Sequence, residues 1–383
     1  MRQGRTGQEG DVTVDTGLTA QGASLILTAF AVAVGLVPAL NGPARRIGLV
    51  DHPCHRKRHQ GQIPLTGGLA MFLAFLAALA FNADWVEPLY WLLTAMTLLL
   101  SVGLLDDLYD MRALHKLIAQ LVVASLLVVV GGLEINQLGE IFGPMIGPVG
   151  LGPFSEIFTI ACIVFLINAI NMSDGMDGLA GGLCMVLLLM LGVLGWLGGA
   201  GSALVAACFL LAFSVLGFLI YNAQSPLRER ASVFMGDAGS MMLGVAIAWL
   251  SIAIVNSDGT AIYPVAIAWL LLVPAMDTLA VSLRRISQGR SPMAPDRAHL
   301  HHIILRCGVS VRNTVRIVHL VSLTTAALGT AAWYYGLPEW LLFAVAALVM
   351  AVYIVVLINA HRIVRWRLRQ LRNGRASSRP LRP

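Results

Sequence analysis

Charge is what this chain lacks. Only 12% of its 383 residues are Asp, Glu, Lys or Arg, about half the share of a soluble globular domain. Against that, 57% are hydrophobic and the mean hydropathy is +0.78. This balance excludes a disordered chain and a nucleic-acid binder, in spite of the net charge of +6. Cysteine is also scarce. Cys54, Cys162, Cys184, Cys208 and Cys307 form no CxxC pair, which argues against a disulfide scaffold or a zinc cluster and reads as small apolar packing. Residues 1–20 are polar, and the first apolar run is too long for the core of a cleaved leader.

What the chain has instead is long apolar runs. Eleven of them, near 23–41, 65–81, 88–105, 117–133, 157–170, 179–197, 202–221, 239–255, 261–280, 315–335 and 338–358, are candidate membrane spans. The fifth is the shortest. The expected fold is an all-α polytopic membrane protein of about eleven transmembrane helices. Its parts are a polar tail (1–22), a membrane domain (23–358) and a basic tail (359–383).

The basic residues keep to one side. Loops 42–64, 106–116, 171–178, 222–238 and 281–314 and the tail 359–383 hold 23 of the 26 Lys and Arg. The alternate loops 82–87, 134–156, 198–201, 256–260 and 336–337 hold none. Positive charge marks the cytoplasmic side, so the N-terminus is read as periplasmic and the C-terminus as cytoplasmic. The tail sequence RIVRWRLRQLR suits an amphipathic extension on anionic headgroups and equally a plain topology signal.

Acidic residues on the basic side come in groups at span ends. Charge at a membrane boundary is costly unless paired, hydrated or metal-bound, and four groups on one face suggest one shared site. Asp106, Asp107 and Asp110 close the third span. If the helix continues, Asp106 and Asp110 share a face, and a divalent cation or cationic partner would relieve their repulsion. The competing reading is a solvated helix end with Arg112 and Lys116 as counter-ions. The second group is NAINMSDGMDGLAGG, with Asn168, Asn171, Asp174 and Asp177. It supplies oxygen ligands and flexible backbone where a turn would need far less. Third, FMGDAGS places Asp237 at a helix start, where it could also serve as an N-cap. Asp277 ends the ninth span. Finally, SPMAPDRAHLHH carries Arg297, His299, His301 and His302. Arg beside His suits phosphate better than a transition metal. The first basic-side loop, DHPCHRKRHQGQIPLTGG, adds a cationic wall.

In this order, DDLYD, NAINMSDGMDGLAGG, FMGDAGS and SPMAPDRAHLHH resemble the polyprenyl-phosphate N-acetylhexosamine-1-phosphate transferases (glycosyltransferase family 4). The first loop and PDRAHLHH point to the WecA-type branch. The MraY branch, which uses UDP-MurNAc-pentapeptide, carries HHH where this chain has HLHH. The resemblance covers roughly residues 40–310 and fits eleven spans with the N-terminus outside. It implies a multi-pass enzyme of the bacterial inner membrane, with its site facing the cytoplasm. The reaction implied moves N-acetylglucosamine 1-phosphate from UDP-GlcNAc to undecaprenyl phosphate, initiating a lipid-linked polysaccharide such as O-antigen.

The resemblance also implies roles. Asp106 and Asp107 are the catalytic pair. Asp237, Asn171 and Asp107 are ligands of Mg2+, or of Mn2+ in its place. Lys116, Asp174, Asp177, Arg297, His299, His301 and His302 bind substrate. The implied partners are the UDP-sugar, undecaprenyl phosphate and the bilayer, with room for a homodimer and no nucleic acid. Direct attack by the lipid phosphate and a two-step route through an aspartyl phosphate both stay open. So do another UDP-sugar as donor, such as a fucosamine type, and a transporter, although transporters tend to carry charge near the bilayer midplane.

Overall fold

The computed structural model describes residues 20–51, 61–226, 228–290, 299–360, 362 and 364–367. Arg297, Cys54 and the rest of residues 52–60 in the first basic loop, nearly all of the polar tail and most of the basic tail lie outside the described residues.

The chain is a helical bundle. Its helices are α1 (Ala20–Ile47), α2 (Gly67–Leu79), α3 (Tyr90–Tyr109), α4 (Ala113–Ser125, run on by a wider turn to Val130), α5 (Ser155–Ser173), α6 (Leu179–Leu197), α7 (Ser202–Asn222), α8 (Gly236–Val255), α9 (Pro264–Leu270), α10 (Leu272–Ser287), α11 (Leu300–Arg306), α12 (Val311–Tyr334) and α13 (Glu339–Ile358). Hydrocarbon leaves backbone amides no water to bond, so the apolar runs close their hydrogen bonds within themselves. Among the described residues nine helices are long and apolar enough to span a membrane, and α9 with α10 makes a tenth, bent by 77°. The expected second span is α2, whose 13 residues rise only about 20 Å. Counting α2, the eleven apolar runs are all helical. The fifth, expected to be short, is a full-length helix.

The bend between α9 and α10 has a covalent cause. Pro274 has no N–H to donate to the carbonyl of Leu270. The helix breaks at Leu271 and restarts, turning Asp277 and the basic end of α10 off the line of α9.

At the centre stands α8. Nearly all its side chains are buried, as befits a helix that is apolar all round. It packs against α3, α5 and α2. At Gly103 an added Cβ would stand 2.3 Å from Ala238 Cα, so the end of α3 touches the first turn of α8 backbone to backbone. A two-residue antiparallel pair, β1 (Val50–Asp51) with β2 (Ile63–Pro64), closes the first basic loop. Pro64 and Gly67 bond to Phe234 and so tie this loop to the start of α8. Cys162, Cys184, Cys208 and Cys307 are free thiols.

Candidate active site

Four helix ends converge on one spot. They are the last turns of α3 and α5 and the first turns of α4 and α8. Lys116, in the first turn of α4, holds its Nζ 2.9 Å from Asp106 Oδ2 and 2.7 Å from Asp237 Oδ2. The other Asp106 oxygen accepts the backbone N–H of Met111 at 2.8 Å. Asn171 donates Nδ2 to Asp237 Oδ1 at 2.8 Å and to Ser240 Oγ at 2.9 Å. Two carboxylates thus share one ammonium, and an amide braces the second. The Asp106 side chain is 6% exposed, whereas Lys116 and Asp237 are 24% and 29% exposed. The cluster is therefore open to solvent on the Asp237 side.

Asp107 has a different place. Its two oxygens accept the backbone N–H groups of Asp237 (2.9 Å) and Ala238 (3.2 Å). It caps α8 from another helix, satisfying two of the donors that every helix start leaves open. Asp237, read as a possible cap, is instead the residue being capped, and this frees its carboxylate for Lys116 and Asn171. Gly236 makes the arrangement possible. Its φ of +72° is costly for other residues, and a Cβ there would stand 2.3 Å from Asp107 Oδ2.

Asp110 does not join this group. Helix α3 stops at Tyr109, and Asp110 turns left-handed (φ 50°), its N–H closing on the carbonyl of Asp106. The assumption that the helix continues fails there. Asp174 is exposed just past the end of α5. Asp177 accepts the N–H of Ala231 at 3.1 Å and Gln224 Nε2 at 3.3 Å, so it holds the 224–231 loop against the turn between α5 and α6.

The histidine segment lies against the same α5 end. An added Cβ on Gly175 would be 3.0 Å from His301 Nε2, and Arg285 Nη1 lies 3.9 Å from Met172 Sδ, beside Asn171. His299 Nδ1 meets Asp277 Oδ2 at 2.9 Å. His299 and His301 are buried at 5% and 4% exposure, and His302 is half-buried. Burial, with His302 and His299 alongside, pushes the His301 imidazole down to about 4, so it is neutral at pH 7.

Residues 89–255 match the family described as Glycosyl transferase family 4. The undecaprenyl-phosphate alpha-N-acetylglucosaminyl 1-phosphate transferase of Haemophilus influenzae is 34% identical over 332 residues, or 87% of this chain and 93% of the relative. The proteins of that name from Salmonella typhi and Escherichia coli K12 are 35% and 34% identical, over 87% and 86% of this chain and 91% of each relative. The chain belongs to glycosyl transferase family 4.

In this family-4 protein the matched stretch contains Asp106, Asp107, Lys116, Asn171 and Asp237. The histidine segment lies beyond it. Sequence reasoning missed Ser240, Tyr353 and Gln120, whose Oε1 accepts from Asn168 Nδ2 at 2.6 Å. Nothing marks a lone Tyr or Gln inside an apolar span as more than packing. Ser240 stood in the quoted FMGDAGS run, one helical turn from Asp237, and that spacing could have found it.

Proposed function

We propose that this protein transfers N-acetylglucosamine 1-phosphate from UDP-GlcNAc to undecaprenyl phosphate, at the cytoplasmic face of a bacterial inner membrane. The products are undecaprenyl-diphosphate-GlcNAc and UMP, and the step initiates a lipid-linked polysaccharide such as O-antigen. The names of the relatives support the reaction. The observation that carries it is the Asp106–Lys116–Asp237 bridge. It gathers anionic and cationic groups at helix ends, where a water-soluble donor can meet a lipid headgroup.

The donor set suits Mg2+. Asp106 and Asp237 already hold one cation between them, the Lys116 ammonium. Among the described residues no three Asp, Glu, His or Cys side chains form a closed cage, and Mg2+ typically takes one or two carboxylates plus substrate phosphates. Asp237 and the Asn171 amide oxygen would hold it, and Mn2+ would serve the same donors. When bound it neutralises charge on the diphosphate and on the leaving UMP. Asp107, also expected as a ligand, gives both oxygens to α8 and so keeps Asp237 in place.

The rest falls to the chain's own groups. The second pKa of a phosphate ester is about 6, so the lipid phosphate is largely ionised at neutral pH without a strong base. Its oxygen attacks the sugar-bearing phosphorus in line as the bond to UMP breaks. Both oxygens of Asp106 and of Asp107 already accept hydrogen bonds. That favours direct displacement over an aspartyl-phosphate intermediate. Lys116 and Arg297 supply positive charge and the histidine segment supplies hydrogen bonds for phosphate and sugar, and Asp174 and Asp177 line the nucleotide side. A cavity of about 960 Å³, largely apolar in its lining, extends from the 135–150 loop and Glu339 between α5, α8, α9 and α10 to Ala275. Phe158, Phe165, Leu166, Ile252 and Ile267 are among its lining, a surface that suits an isoprenoid tail.

The test is a panel of UDP-sugars offered to the protein in nanodiscs with undecaprenyl phosphate. UMP and the lipid product are measured with and without EDTA. UDP-GlcNAc should give UMP and a lipid diphosphate sugar, and EDTA should stop both. Preference for UDP-MurNAc-pentapeptide would overturn the sugar assignment, and no product from any UDP-sugar would overturn the reaction.

A further inference from the structure

Asp277 and Tyr353 take no part in the chemistry above, yet they form a tightly bonded polar group within the apolar bundle. Asp277 sits on α10 at 8% exposure. Its Oδ1 accepts the Leu300 N–H at 2.8 Å and the Tyr353 hydroxyl at 2.5 Å, and its Oδ2 meets His299 Nδ1 at 2.9 Å. Tyr353 comes from α13, 76 residues along the chain. On the far side of the ring, His299 Nε2 lies 3.5 Å from Arg285 Nη2. An ionised carboxylate only accepts, so Nδ1 donates to Asp277, and Nε2 faces the guanidinium. His299 thus has both nitrogens committed and almost no exposed surface, the state of an anchor more than of a ligand-binding group.

The anchor connects to the acidic loop. The His299 and His301 rings are parallel (8°) with centroids 5.8 Å apart, and His301 and His302 are 4.2 Å apart. His301 in turn lies against Gly175, between Asp174 and Asp177. Of the three rings His302 alone is more than slightly exposed.

We infer that Tyr353, Asp277 and His299 are positioning residues: together they seat the histidine segment against the Asp174–Asp177 loop, so that His302 is the ring presented to the sugar phosphate. The inference rests on the proposed transferase reaction for its ligand, but its geometry can be read without turnover. Tyr353→Phe deletes a single oxygen atom, and Asp277→Asn keeps the shape of the carboxylate.

The activity arm measures UMP release from UDP-GlcNAc. Tyr353→Phe should raise the KM for the nucleotide sugar roughly 3- to 10-fold, the worth of one hydrogen bond, with kcat nearly unchanged. In a His299→Gln background the same change should add almost nothing, because the anchor is already broken. A purely structural tyrosine would lower thermal stability and add its full effect in that background. The second arm needs no activity. Diethyl pyrocarbonate modification, read by mass spectrometry, should reach His299 about fivefold faster in both variants, again the scale of one lost hydrogen bond. A wild type without turnover defeats the transferase reading and leaves this arm decisive. Unchanged His299 reactivity, or unchanged KM in an active protein, overturns the anchor.

Discussion

Lys116→Met removes the one ammonium shared by Asp106 and Asp237 and keeps a side chain of similar length. Stripping the partner from a buried charge costs about 3–5 kcal/mol, and an exposed ion pair contributes only about 0–1 kcal/mol. Asp106, at 6% exposure, lies near the first limit, and Asp237, at 29%, toward the second. The expected loss of stability is about 2–4 kcal/mol, most of it from Asp106. If the ammonium also holds the two carboxylates in their transition-state positions, the same energy corresponds to about a 30- to 1000-fold drop in kcat/KM. Thermal unfolding and UMP release in nanodiscs measure the two quantities. Asp106→Asn in the Lys116→Met background separates them. It removes the unpaired charge and, with an amide oxygen still able to accept from Met111, should recover much of the stability while activity stays low. If Lys116→Met alone leaves both stability and turnover near wild type, the bridge does not organise the site.

Gly236→Ala should lower stability by about 2–3 kcal/mol, from a left-handed backbone position that disfavours a Cβ and from the displaced Asp107 cap, and turnover should fall with it; thermal unfolding and UMP release report both. The His301 imidazole lies at about 4 in the fold against an ordinary 6.5. The unfolded chain therefore binds its proton first, and the fold should lose stability as pH falls from 6.5 toward 4, by at most roughly 3 kcal/mol. His301→Gln should flatten that part of a plot of stability against pH, and equal slopes in both proteins would refute the assignment.

The fold was legible because hydrocarbon allows few solutions. A run such as 239–255 has little choice but a helix, and α8 follows it closely. Position along the chain was harder to convert into shape. The apolar run at 261–280 continues past Leu271, but Pro274 breaks the helix there. The run at 65–81 is a helix too short to cross alone.

At the site, motif order led to Asp106, Asp107, Lys116, Asn171 and Asp237, and these residues do meet. Their division of labour was hidden, because it depends on contacts far apart in sequence. Asp107 caps a helix 130 residues away, and no local pattern reveals that. Asp110 looked equivalent to Asp106 by helical spacing, and one residue of left-handed backbone removed it.

These contacts also tie the fold to the site. The carboxylate of Asp237 reaches Lys116 and Asn171 because α8 starts where it does, and three features set that start. Gly103 lets α3 approach within backbone contact of Ala238. Gly236 turns the chain with a φ of +72° that leaves room for Asp107, and Asp107 then takes up the open N–H groups. A larger residue at Gly103 would push α3 and α8 apart and move Asp107 off Asp237 without touching any charged group. Each of these features is a helix end or a helix contact and none is a flexible loop, so geometry at this site is set by the same packing that holds the bundle together. Substitutions along the α3–α8 contact should therefore cost activity and stability in step, whereas Lys116→Met with Asp106→Asn should uncouple them.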